Sequence, residues 1–324
     1  MTLALFFVGF LFIIKGADLL VTGAGSIAAR FDIPAIVVGL TIVSFGTSMP
    51  ELSVSVLASL DGYTDLAIGN VLGSNIANIL LVLGVAAMIA PLPVRSSTLL
   101  SEIPFSLTAA LLVGFLANAS LFSATAELTI SRLDGVFLLL FLVLFIAYIF
   151  KITKDGQGAG FGKEALTDRT ARTVGLPRSI AYVLLGVVGL YLGGDWIVVG
   201  ALDIASRLGF SESLIALTIV ALGTSLPELV TSAVAAYRGN PDVAVGNVVG
   251  SNIFNLLWVL GVSAVITELP FDHISNTDIV MVVFSSTMLI FSLAVGRKGV
   301  IDRWKGIGFV LIYIAYFAYL IQRG

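Results

Sequence analysis

The sequence contains no cysteine, which excludes disulfide frameworks, thiolate metal centres and cysteine nucleophiles. It contains one histidine, His273, so imidazole ligand clusters and most histidine acid–base chemistry are excluded as well. Charge is scarce. Asp, Glu, Lys and Arg make up 11% of the 324 residues, where a soluble domain carries about 25%. A net charge of −3 offers no basic surface, so nucleic acid is not an expected partner. With 58% hydrophobic residues and a mean hydropathy of +1.07, most side chains never meet water. The expected surroundings are a lipid bilayer.

A spanning helix needs about 20 mostly apolar residues. Windows of that length give ten candidates, near 2–28, 34–60, 66–90, 98–120, 133–151, 179–205, 211–237, 243–266, 277–296 and 304–322. Lipid satisfies no backbone polar group, so the spans must be helices. The apolar start, Met1 to Ile14, has no preceding basic residue and no small-residue cleavage pattern before Lys15, and reads as part of the first span. The stretch 152–178 is rich in Gly and charge and reads as a solvated linker. Lys and Arg gather on the cytoplasmic side of membrane proteins. An extracellular N-terminus puts thirteen of them inside, from Arg30 and Arg95 through the linker to Arg238, Arg297 and Lys305. Only Arg132, Arg207 and Arg323 then lie outside, with Lys15 in or near the first span. That bias predicts a cell-membrane protein with both termini extracellular and the linker cytoplasmic.

Residues 41–84 align without a gap on residues 218–261, at an offset of 228 − 51 = 177, with 26 identities in 44 positions. The first copy holds GTSMPE at 46–51 and GNVLGSNIAN at 69–78; the second holds GTSLPE at 223–228 and GNVVGSNIFN at 246–255. Gly16, Asp18 and Arg30 match Gly193, Asp195 and Arg207, and Gly135 and Tyr148 match Gly306 and Tyr319 at a slightly different offset. The expected fold is therefore all-α, ten transmembrane helices in two five-helix repeats, 1–151 and 179–324, joined by the linker. Five is odd, so the repeats must enter the membrane from opposite sides. Many secondary transporters are built this way, with an ion site at the repeat interface near the midplane.

Glu51 stands inside an apolar span, where an unpaired carboxylate costs several kcal/mol, and the same residue recurs at Glu228. Pro50 and Pro227 interrupt the hydrogen-bond ladder just before them. The carbonyls freed one turn earlier lie near Gly46 and Gly223. Carbonyl, hydroxyl and carboxylate oxygens on one short stretch suit a hard cation such as calcium or sodium. Glycine and serine of the GSN triplets allow close helix approach. Asn75 and Asn252 either bridge helices or contact an ion, while Asn78 and Asn255 are the favoured ion contacts. Asp18 and Asp195 read as structurally paired, Asp65 and Asp242 as N-caps, and Glu102 and His273 as interfacial. No nucleophile–base set accompanies the glutamates, so neither an enzyme nor a cofactor is expected.

GTSxPE followed by GNxxGSNIxN, present twice, resembles the alpha repeats of the sodium/calcium exchangers in the calcium:cation antiporter superfamily, prokaryotic type. The resemblance covers nearly the whole chain. It implies exchange of calcium for sodium by alternating access, with those two ions as the partners. A calcium/proton or potassium-dependent exchanger is the alternative within the superfamily. It further implies Glu51 and Glu228 as shared carboxylates, flanked by Thr47, Ser48, Thr224 and Ser225. Ser44 and Ala221 would offer carbonyls, and Ser74, Ser251 and Asn78 would complete the set from spans 3 and 8. Asn255 occupies the same level, where some relatives carry Asp; that difference removes a carboxylate and bears on the coupling ion.

Overall fold

The computed structural model describes residues 2–119, 128–154, 174–207, 221–271 and 273–323. Most of the linker, and the start of the seventh candidate span, lie outside these residues. The described chain is helical with four two-residue strands. Eight helices are long and apolar enough to cross a membrane, and a bent pair makes a ninth span. In the first half these are α1 (Thr2–Phe31), the bent pair α2 (Ala35–Thr47) and α3 (Met49–Leu60), α4 (Thr64–Ile89), α5 (Glu102–Ala117) and α6 (Arg132–Lys154). The second half holds α7 (Leu176–Arg207), the turn Ala221–Thr224 with α8 (Leu226–Tyr237), α9 (Pro241–Ile266), α10 (His273–Ala294) and α11 (Arg303–Arg323). The turn and α8 are the described part of the seventh candidate span.

The centre of the molecule is α4 and α9, buried over 72% and 78% of their apolar windows, against 17–44% for the other unbroken spans. Outer helices turn Phe7, Leu11, Val143, Phe150, Leu184 and Leu311 outward. Such a surface is stable in hydrocarbon and costly in water.

Contacts between the halves come in reciprocal pairs. The strand Leu92–Pro93 (β1) pairs with Val300–Ile301 (β4), and Thr129–Ile130 (β2) pairs with Leu269–Pro270 (β3). α11 crosses α4 where a Cβ on Gly306 would stand 2.6 Å from the Gly84 carbonyl oxygen. α6 crosses α9 where a Cβ on Gly135 would stand 2.7 Å from the Gly261 carbonyl oxygen. Gly84 and Gly261 are repeat equivalents, as are Gly135 and Gly306. Each half thus completes its partner.

α1 and α7 form a closely packed pair along the side of the bundle. A Cβ on Gly9, Gly16, Gly23, Gly186 or Gly193 would come within 2.9 Å of backbone on the facing helix. Small residues let two backbones meet in this way where lipid supplies no hydrophobic drive.

The second span is broken by its own sequence. α2 stops at Thr47, Ser48 sits at φ −83°, ψ 6°, and α3 restarts at Met49 with a 45° change of direction. Pro50 falls in the first turn of α3, where its missing N–H costs nothing. Ser225 repeats the geometry at φ −83°, ψ 0°, with Pro227 at the start of α8. Glu51 and Glu228 therefore occupy the first turns of their helices, where the helix dipole favours negative charge.

Candidate functional site

The two breaks face α4 and α9, and the side chains at this crossing are polar and buried. Glu51 and Glu228 both have 0% exposure. Ser44, Thr47, Ser48, Ser74, Ser251, Asn78 and Asn255 are equally enclosed, with Thr224 and Ser225 nearly so. Ala221 begins the turn that carries Thr224. The structure brings all the sequence-derived candidates to the helix breaks and the facing stretches of α4 and α9.

Two asparagines fasten this arrangement, and the sequence reading missed their role. Asn70 on α4 donates its amide to the Glu51 carbonyl oxygen (3.2 Å) and to Ser55 Oγ (2.9 Å). Asn247 on α9 does the same to the Glu228 carbonyl oxygen (3.4 Å) and Ser232 Oγ (2.9 Å). The threonines then cross between halves: Thr47 Oγ1 donates to Asn247 Oδ1 and Thr224 Oγ1 to Asn70 Oδ1, both at 3.1 Å. Each break is held by the core helix of its own half and tied to that of the other. Identity of Asn70 with Asn247 and of Ser55 with Ser232 in the repeat was the available signal.

Not every oxygen is engaged, and the pattern separates scaffold from site. Ser48 Oγ and Ser251 Oγ both donate to Glu228 Oε1 at 3.3 Å. Both Glu51 carboxylate oxygens, Glu228 Oε2, Ser225 Oγ, Asn78 Oδ1 and the whole Asn255 amide are buried without a protein partner. Buried polar atoms are nearly always partnered, so such a concentration marks a ligand site. The free atoms are oxygens apart from one amide nitrogen. Two carboxylates with hydroxyl and amide oxygens fit a hard cation. Among the described residues no cluster of three His, Cys, Asp or Glu exists.

Some expectations change. The Ser44 carbonyl already accepts the Ser48 N–H (3.0 Å) and lies 3.3 Å from the Thr47 hydroxyl, whose single proton also faces Asn247 Oδ1. Asn252 bridges helices, accepting from Asn78 Nδ2 (3.0 Å) and donating to the Asn75 carbonyl oxygen (3.3 Å). Asp65 and Asp242 lie in the first turns of α4 and α9 but do not cap them; Tyr63 and Asn240 hold the cap positions. Asp242 instead meets Arg95 at 2.7 Å. Asp18 is ion-paired, with Arg238. Short π turns at Asn78–Val82 and Asn255–Val259 place both asparagines where the helix widens, a feature common at functional sites.

The chain has recognisable relatives over nearly its whole length. The family model described as sodium/calcium exchanger protein matches residues 1–151 and 178–322. The inner membrane protein YrbG of Escherichia coli K12 is 38% identical over 313 residues, covering 95% of this chain and 92% of that protein. The sodium/calcium exchanger MaX1 of Methanosarcina acetivorans is 31% identical over 339 residues, covering 96% of each. Among solved structures, the sodium–calcium exchanger NCX_Mj soaked with 10 mM Na+ and no Ca2+ superposes with a TM-score of 0.81. It is 31% identical to this chain, over 98% of both.

Proposed function

The chain belongs to the sodium/calcium exchanger family, as a multi-pass membrane cation antiporter of prokaryotic type, and from that premise we propose that it exchanges Ca2+ for Na+ by alternating access. The observation that carries the reading is the pair Glu51 and Glu228, wholly buried at two equivalent helix breaks among unpartnered oxygens. Thr47, Ser48, Thr224, Ser225, Ser74, Ser251, Asn78 and Asn255 surround the ion, with the backbone at Ser44 and Ala221 beside it. One Ca2+ neutralises the two carboxylates; Na+ ions on overlapping oxygens displace it by competing for the same charges. Leaving both carboxylates bare within the membrane is costly, so the ion-free site does not cross between faces. That cost couples the two fluxes.

The same proposal includes ten spans in two inverted repeats. Its support is the reciprocal pairing of the halves and the odd number of spans in each, the seventh being α8 with the residues before it. Basic residues place both termini outside the cell membrane and 152–178 inside. No chemistry beyond binding and release is required, so the protein acts without a cofactor and not as an enzyme.

Calcium uptake into proteoliposomes, with the internal cation switched among Na+, K+ and H+, tests the reading. Uptake driven by an outward Na+ gradient alone supports it. Uptake driven only by a proton gradient, or requiring K+, replaces it with the corresponding exchanger on the same glutamates.

A further inference from the structure

The repeat is broken in charge at Asp61, whose equivalent at the offset of 177 is Arg238. Arg238, just past the end of α8, forms an ion pair with Asp18 on α1. Its Nη1 also donates to Thr22 Oγ1 at 2.7 Å. Thr22 is one turn along α1, and its hydroxyl donates to the Asp18 carbonyl oxygen at 2.7 Å. The equivalents at the repeat offset of 177 are Asp61, Asp195 and Val199. The backbone at the two turns is alike, with Gly62 at φ 82° and Gly239 at φ 71°. The side chains differ: a base between an acid and a hydroxyl on one side, and at the equivalent positions two acids and a valine. Among the described residues neither Asp61 nor Asp195 makes an ion pair.

The packing has the same asymmetry. α1 lies along α8, whereas its equivalent pair, α7 and α3, barely touches. Because α1 and α7 are joined backbone to backbone through their glycines, they respond as one body to a tether on either helix. Arg238 stands ten residues beyond Glu228, about 15 Å along a helical rise, so it does not touch the ion.

We propose that Arg238, Asp18 and Thr22 form a one-sided clasp, which fastens the α1–α7 pair against the site-bearing bundle and holds shut the mouth of the transport path on the Arg238 side. The equivalent positions have no such fastening, and their two acids oppose closure. The exchanger therefore rests in the form open toward the Asp61 side, the extracellular side in the orientation proposed above. Arg238 is a positioning residue: it sets which face presents the ion site, and leaves ion affinity within the site unaltered. This inference rests on alternating access.

The test uses the full-length protein reconstituted in one orientation. Apparent Ca2+ affinity is measured from each side for the parent, Arg238→Gln, the charge swap Asp18→Arg with Arg238→Asp, and Asp61→Arg, which builds the missing base. Loss of one half-exposed ion pair is expected to tighten apparent affinity on the Arg238 side roughly five-fold relative to the other. The swap should return the ratio toward the parent value, and Asp61→Arg should move it in the same direction as Arg238→Gln. Ser26→Cys, one turn beyond Thr22 on α1 and buried, gives a second readout, since the chain has no other thiol. A membrane-impermeant thiol reagent applied on the Arg238 side should label it faster once Arg238→Gln is added. Side ratios and labelling rates unchanged by these substitutions in an actively exchanging protein overturn the clasp. Absence of exchange in the parent would instead overturn the transport reading itself.

Discussion

Glu51→Gln separates the contribution of a residue to the fold from its contribution to the ion. Both Glu51 carboxylate oxygens are buried without a protein partner, so the side chain gives the fold no hydrogen bond to lose. The amide keeps the shape and removes a buried negative charge. The ion-free protein should therefore melt at the same temperature as the parent or higher. Calcium binding should respond in the opposite sense. A unit charge pair 4 Å apart is worth about 4 kcal/mol at an effective dielectric of 20, and a divalent ion doubles that before desolvation is counted. Net losses on removing one partner of a buried pair run at about 3–5 kcal/mol, which is a fall in affinity of roughly a hundred-fold to a few thousand-fold. Calorimetric Ca2+ titration of purified protein, with thermal unfolding of the same sample with and without Ca2+, measures both quantities. The parent should gain stability with Ca2+ and the variant should gain almost none. A variant that still binds Ca2+ within ten-fold of the parent would refute the assignment of Glu51 to the site. A variant that melts well below the parent would show that the unpartnered oxygens were structural after all.

Asn247→Ala removes two donated hydrogen bonds and the one accepted from Thr47; at about 1 kcal/mol for each buried bond it should lower stability by roughly 2–3 kcal/mol, read by thermal unfolding in detergent, and slow exchange. Asn255→Asp adds a third buried carboxylate, so one Ca2+ no longer neutralises the site; calcium flux should become dependent on pH or on an added monovalent cation, and flux indifferent to both would place Asn255 outside the site. For orientation, Tyr63→Cys and Arg297→Cys, both at exposed positions, should be labelled by an impermeant thiol reagent from outside and from inside respectively, and the reverse pattern would invert the proposed topology.

What could be read in the sequence was whatever physics makes expensive. A carboxylate in an apolar run demands a reason, and its repetition at Glu51 and Glu228 supplied one before any fold was known. The broken spans were legible for the same reason, since proline cannot sit in an unbroken ladder. The scaffold was harder to see because its residues are cheap and ambiguous. Asn70 and Asn247 lie inside quoted motifs, yet an asparagine in a helix has several uses. Only the fold shows each amide reaching a carbonyl 19 residues back across a helix crossing. The π turns at Asn78 and Asn255 left no local mark, because nothing in NILLV or NLLWV distinguishes a widened turn from an ordinary one. Asp18 shows a different limit: Lys15 is near in sequence, but its charge partner is Arg238, 220 residues away. The two copies also carry information of two kinds. Positions where they agree serve a task common to both halves; of these the glutamates were recognised and Asn70 and Asn247 were not. Positions where they disagree in charge, such as Asp61 against Arg238, have no meaning for a symmetric site. They acquire one only when the halves must behave differently, which a protein that opens to one face at a time requires.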